Sequence, residues 1–264
     1  MNQRFLHLLH STVFAAVLGV STLAAATTSV NYSDLWWDAQ EPGWGLNVSQ
    51  QADTLFATFF VYGDGGQAVW YSVTLAYQST GPNGAVTYGG PLYQTSGPPQ
   101  GTTYNPALLK YREVGAATIE FGDDAHGLLH YTADGVLVVK PIARQTFAAD
   151  SLLGSYVGST SDITFNCKNS SRNGLVTTDP GPFTITQTGD QVKIQFPTCA
   201  YTGQYTQQGQ IGRVDGFYFC TNLANGAATF TGMRTEKGGI VGTYVGADSS
   251  CEFRGNIGGM RVLQ

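Results

Sequence analysis

The chain has 264 residues, a formal net charge of −5 with no block of one sign, and only 12% charged residues, against roughly 25% in an ordinary soluble protein. Without a basic patch, nucleic acid and anionic membrane surfaces are poor partners. The 34 glycines, 14 tyrosines and 14 phenylalanines, with abundant Thr and Val and few strong helix formers, make a strand composition.

Residues 1–26 read as a secretory signal peptide. Arg4 supplies the positive start, and the apolar run from Phe5 to Val20 is broken by His7, His10, Ser11 and Thr12. Ala24-Ala25-Ala26 forms an A-x-A cleavage site. The run is too short for a membrane-spanning helix, and no later segment reaches that length. A secreted or periplasmic protein is expected, without a transmembrane segment in the mature chain. No cysteine stands at the cleavage site to carry a lipid.

The mature chain divides into 27–149 and 150–264. The first half opens on Asp34-Leu35-Trp36-Trp37-Asp38, continues through Glu41-Pro42-Gly43-Trp44-Gly45-Leu46, and holds three of the four tryptophans within nine residues. Alternating strands follow. Trp44, Leu46 and Val48 share one face. Leu55, Ala57, Phe59 and Val61 oppose Phe56, Thr58, Phe60 and Tyr62. After the Gly63–Gly66 turn, Val69, Tyr71, Val73 and Leu75 oppose Trp70, Ser72, Thr74 and Ala76. A short strand is expected near Ala85–Tyr93, a capped helical turn at Asn105–Lys110, and three further strands between Gly115 and Phe147, with a hairpin turn at Asp134-Gly135. That makes about eight antiparallel strands, which a closed barrel suits because closure removes exposed edges.

The second half repeats the pattern with different chemistry. Gly-x-Tyr recurs at Gly154, Gly203 and Gly242, and Gly-Phe-Tyr at Gly216. Glycines before inward aromatics belong to tightly curved strands. All four cysteines lie here, and an even number in an exported chain implies two disulfides. A hairpin turning at Gln208-Gly209 sets Cys199 against Cys220. Closure of a barrel brings the strand before Cys167 beside the strand after Cys251. Cys199–Cys220 with Cys167–Cys251 is therefore expected, and Cys167–Cys199 with Cys220–Cys251 stays open. The short linker from Arg144 to Leu152 implies that the halves pack together. The fold class is all-β: two small antiparallel barrels or sandwiches, the second stapled by disulfides.

Glu41, Gly43-Trp44-Gly45, the Gly63–Gly66 turn and Trp70-Tyr71 resemble a recurring module of exported bacterial proteins. In that module a Trp pair precedes an acidic residue and Gly-Trp-Gly, and a Gly-rich turn and an aromatic pair follow. Cys167, the run Cys199–Tyr205, Gly216–Cys220, Cys251 and Gly258-Gly259-Met260-Arg261 resemble its cysteine-bearing companion. The resemblance spans nearly all of the mature chain and carries over no catalytic residue.

Two roles compete for the aromatics. Trp36, Trp37, Trp44, Trp70 and Tyr71 can form a platform for flat sugar faces, with Asp38 and Glu41 taking hydroxyls, or they can plug a barrel as core. Trp37 and Trp70 are the expected exposed pair. The polar face of Asn47, Ser49, Thr58, Ser72 and Thr74 is expected to point outward. His126 and His130 share a strand face but stand roughly 13 Å apart along an extended chain, too far to hold one ion together, so no metal and no other cofactor is assigned. No nucleophile elbow, metalloprotease motif or phosphate loop is present. Asp34, Asp38, Glu41, Glu113 and Glu120 offer carboxylates for glycoside hydrolysis without a spacing that selects two. The expected function is an exported, non-catalytic binding protein for carbohydrate or another envelope-associated ligand. The alternatives are a structural or inhibitory envelope protein, then a hydrolase using a carboxylate pair.

Overall fold

A computed structural model describes residues 30–221 and 225–262. The expected signal peptide lies outside the described residues. Two closed antiparallel barrels of eight strands each follow one another along the chain, which decides between barrel and sandwich. The first comprises β1 (Asp34–Trp37), β2 (Gly45–Gln51), β3 (Thr54–Tyr62), β4 (Ala68–Thr80), β5 (Val86–Ser96), β6 (Lys110–Phe121), β7 (His126–Ala133) and β8 (Val136–Arg144). The second comprises β9 (Gly154–Phe165), β10 (Val176–Thr188), β11 (Gln191–Gln195), β12 (Cys199–Gln208), β13 (Ile211–Cys220), β14 (Gly226–Glu236), β15 (Gly239–Asp248) and β16 (Glu252–Arg261). In both, strands pair in chain order and the last closes on the first.

The period-2 alternation places the first core. Leu46, Val48, Leu55, Ala57, Phe59, Val73 and Leu75 all point inward and are buried with Trp36, Tyr88, Ile119 and Phe121. Phe121 stacks on Tyr32 at 3.8 Å between ring centroids. Asn47, Ser49 and Thr74 are exposed and Thr58 and Ser72 half-buried on the other face, so the polar face does point outward and side chains fill the interior. The Asp134-Gly135 turn has positive φ at both residues, 49° and 85°, the conformation a tight two-residue hairpin needs. The helical turn is a 3-10 turn, Pro106–Leu108, whose Asn105 side chain accepts from the Ala107 N–H. Two strands are longer than expected: β5 continues past Tyr93 to Ser96, and β6 begins at Lys110 rather than Gly115. β5 runs, as expected, straight through Gly89-Gly90-Pro91. A Cβ on Gly90 would meet the Thr74 carbonyl at 2.1 Å, so the glycine permits close strand approach, and Pro91 faces solvent.

In the second barrel, aromatics and glycines face each other across neighbouring strands. Three inward rings lie directly opposite a glycine on the next strand: Tyr218 opposite Gly226, Tyr244 opposite Gly255 and Phe253 opposite Gly246. Each ring covers the space a side chain would need; a Cβ on Gly246 would meet Phe253 at 2.4 Å. Gly158 is tighter still, since its Cβ would stand 1.9 Å from the Gly258 carbonyl oxygen and 2.4 Å from the Gly259 Cα. Backbone cannot turn aside as a side chain can. Gly158→Ala is therefore expected to cost about 2–3 kcal/mol through overpacking, read as a lower denaturant midpoint at unchanged slope. An unchanged midpoint would refute it.

Both disulfides of the expected pairing are present, Cys199–Cys220 and Cys167–Cys251. The first pair sits in direct cross-strand register. The second ties the ends of β9 and β16, which pair over ten residues. These bridges imply an oxidising environment.

The barrels meet through the linker and the β12–β13 turn. Asp34 and Arg144 form a buried ion pair at 2.8 Å, their side chains 4% and 1% exposed. The same Asp34 Oδ2 accepts from the Gln210 N–H of the second barrel at 2.8 Å. The Gly209 N–H donates to the Thr146 hydroxyl at 2.8 Å, and the Asp150 N–H to the Gln207 side chain at 2.8 Å. Gly209 has φ of +61°, and a Cβ there would fall 2.2 Å from Asp34 Oδ2. Only glycine suits both the turn and the contact.

Candidate functional site

The tryptophan stretch divides by strand alternation. Trp36 points into the first barrel, is fully buried, and donates its Nε1–H to the Tyr32 carbonyl at 3.0 Å. It is core and cannot reach a ligand. Trp37, one residue on, faces outward and is half-buried.

Trp44 and Tyr71 belong to the mouth of the barrel, both packed partly buried against the core cluster. The Trp44 indole N–H points at Glu41 Oε2, 3.3 Å away. Glu41 Oε1 accepts from Lys140 at 2.7 Å. The Lys140 hydrogen bond, offset in part by desolvation, holds the Glu41 carboxyl below its ordinary range. Asp38 is buried in the turn before Trp44, accepting from the Gln40 N–H at 2.9 Å. Asp38, Glu41 and Trp44 shape the β1–β2 loop, with Lys140 of β8 and Tyr71 of β4 beside it at the mouth.

What remains exposed forms a row across the outside of the barrel. Gly45 on β2 pairs with Phe60 on β3, and Phe60 with Trp70 on β4. Trp36 pairs with Leu46, which brings Trp37 beside Gly45, whose Cβ position lies 3.8 Å from that of Trp37. Phe60 and Trp70 are 54% and 48% exposed. Strands spaced about 4.8 Å apart put Trp37 and Phe60 about 10 Å from each other, with the bare backbone of Gly45 as a gap between them. Tyr62 and Phe56 extend the apolar strip along β3.

Beside this row, two residues along each strand on the same face, runs a polar one. Asn47 pairs with Thr58, Thr58 with Ser72, and Ser72 with Tyr93. An aromatic row next to a row of hydroxyl and amide groups can take the C–H face of a ring on one side and its hydroxyls on the other. Phe60 was not among the residues singled out by sequence. Its signal was the alternation of β3, which already placed it opposite the core residue Phe59.

The candidate carboxylates do not converge. Asp34 is engaged by Arg144, Asp38 by its turn and Glu41 by Lys140. Glu113 lies near the Tyr93 hydroxyl at 3.5 Å, and Glu120 is exposed on the outside of β6. His126 contacts Asp123 at 3.0 Å and pairs on its strand with Ala143, while His130 pairs with Val139. Among the described residues no group of three or more His, Cys, Asp or Glu could hold a metal ion, and no helix is long and apolar enough to cross a membrane. No family model matches the chain, and no curated protein matches its sequence.

Proposed function

We propose that the protein is an exported, non-catalytic carbohydrate-binding protein that works in the periplasm or outside the cell. Its binding surface is the outer face of β1–β4, where Trp37, Phe60 and Trp70 take the flat faces of sugar rings and Asn47, Thr58 and Ser72 take hydroxyls. The observation that carries this reading is the direct pairing of two half-exposed aromatics, Phe60 and Trp70, in line with Trp37. The placement is costly for a solvated surface unless it is used, since the charged residues that usually cover a barrel are few here.

A second reading has its own support. Leu137 and Val139 on the outside of β8 are 66% and 44% exposed, and β8 borders β1 at Trp37. That continuity would suit a protein partner instead of a glycan. Co-sedimentation with insoluble cellulose, chitin and peptidoglycan separates the two. The protein is expected to be retained on at least one, and Phe60→Ala with Trp70→Ala to weaken retention about ten- to hundredfold, from about 0.5–1.5 kcal/mol per stacked ring beyond its area burial. Thermal unfolding should be unchanged, because both rings lie outside the core. Retention that survives the double substitution, or none on any polymer, would transfer the surface to a protein partner.

A further inference from the structure

The second barrel carries a feature that the platform does not use. Thr178, Ser161, Asn256, Thr243 and Thr231 lie side by side on five successive strands, β10, β9, β16, β15 and β14, each paired in direct register with the next. All five point outward, since their chain neighbours Ile257, Tyr244 and Phe230 are core. The outer pairs satisfy each other: Thr231 and Thr243 hydroxyls are 2.9 Å apart, and those of Ser161 and Thr178 3.3 Å. Asn256 stands between them, exposed, and its side-chain amide makes no hydrogen bond among the described residues.

This ladder floors two depressions. One, of about 480 Å³, is lined by Ser161, Asn256 and Thr243 with Ile163, Val176 and Val245. The other, of about 580 Å³, is lined by Asn256, Thr243 and Thr231 with Val241 and Ile257, and it ends between the barrels at Asp123, Asp124 and Arg213. Sharing Asn256 and Thr243, they form one trough that crosses the barrel wall and runs to the junction. The five strands span about 19 Å at the usual spacing.

The chemistry of the trough selects its occupant. The floor is uncharged and offers donors and acceptors at each strand step, and Ile163, Val176, Val245 and Val241 give it apolar flanks. The charges that border it are mostly committed. Arg254, between Ile163 and Val245 in the flanking row, lies over the Phe165 ring at 5.7 Å. Asp162 accepts from the Tyr244 hydroxyl at 3.2 Å, Arg213 is held by Asp215 at 2.7 and 2.8 Å, and Arg234 by Glu236 at 3.0 Å. We infer that the trough is a second binding site, for an extended, uncharged, hydroxyl- and amide-bearing glycan chain, with Asn256 as its central hydrogen-bonding residue. It rests on the proposed function for the polymer class alone; the residues and the barrel are different.

Soluble cellohexaose and chitohexaose test it, with binding read by calorimetry and by amide shifts of isotope-labelled protein. At least one hexasaccharide is expected to bind and to move the amides of residues 161, 243 and 256. Asn256→Ala combined with Thr243→Val should weaken the binding read at residues 161 and 243 about tenfold, while Phe60→Ala with Trp70→Ala leaves the shifts at 161, 243 and 256 in place. The shifts are read residue by residue, so binding at the platform and binding at the trough fail separately. Absence of hexasaccharide binding, shifts confined to the first barrel, or affinity indifferent to the Asn256 and Thr243 changes would each overturn the trough as a site. The amide map needs no variant, so a misfolded substitution does not shield the inference.

Discussion

Arg144→Leu is expected to destabilise the first barrel by about 3–5 kcal/mol, the cost of leaving one member of a buried ion pair alone. β1 meets β8 through only two paired positions, Trp36 with Arg144 and Trp37 with Ala143, so the sheet hydrogen bonds alone close this seam weakly. The guanidinium does the rest. Its Nε donates to the Asp124 carbonyl at 2.6 Å, Nη2 to the Asn31 carbonyl at 2.6 Å, and Nη1 to Asp34 and to the Ser33 carbonyl at 2.8 and 3.3 Å. It also lies 5.0 Å from the centre of the Trp36 ring. Leucine would strand a buried carboxylate and three carbonyls. Arg144→Lys keeps the charge but loses the planar fork, and should recover only part of the loss. Tryptophan fluorescence is the right probe because all four tryptophans belong to this barrel. An unshifted unfolding midpoint in Arg144→Leu would show that the seam does not depend on the pair.

The second barrel closes its seam covalently. Cys167–Cys251 spans 84 residues and Cys199–Cys220 spans 21. Loop-closure entropy gives the longer bridge about 4.5 kcal/mol and the shorter about 3.3 kcal/mol. The geometry agrees with that order: both bridged strand pairs run over ten residues, but the long bridge joins first strand to last, whereas the short one ties a hairpin whose tight turn already holds its two strands together. Replacing Cys167 and Cys251 together by Ser is expected to cost more than replacing Cys199 and Cys220, read by denaturant unfolding followed through far-ultraviolet circular dichroism. The tryptophan transition of the first barrel should barely move. A larger loss from the shorter bridge would refute the seam argument.

Much of this was legible in the chain. The β3–β4 hairpin alternates so cleanly that faces, turn and core follow from it, and register across Gln208-Gly209 sufficed for one disulfide. Closure supplied the other. The tryptophan stretch was less legible because β1 has only four residues. Adjacent tryptophans must face opposite ways, but so short a strand does not show which one is core. The buried Trp36 is placed by Tyr32 and Phe121, and Phe121 arrives from a distant strand. Arg144 carried no local signal at all. Its partner Asp34 stands 110 residues earlier, and nothing within a window around either residue reveals the other. The platform was half visible: Trp70 was singled out, whereas Phe60 was passed over as one more strand aromatic, since its alignment with Trp37 exists only once three strands are in register.

The oxygen that Arg144 and Gln210 share also has a meaning in time. Domains form as units and from the N-terminus first as a chain is made. Asp34 and Arg144 both precede Gly209 in the chain, so a first barrel that folds as the chain emerges has its acceptor fixed before the turn that meets it arrives. In that order the earlier barrel is a template for seating the later one. A chain whose first seam stays open presents the turn with a mobile carboxylate, and its two halves would mature without a common orientation.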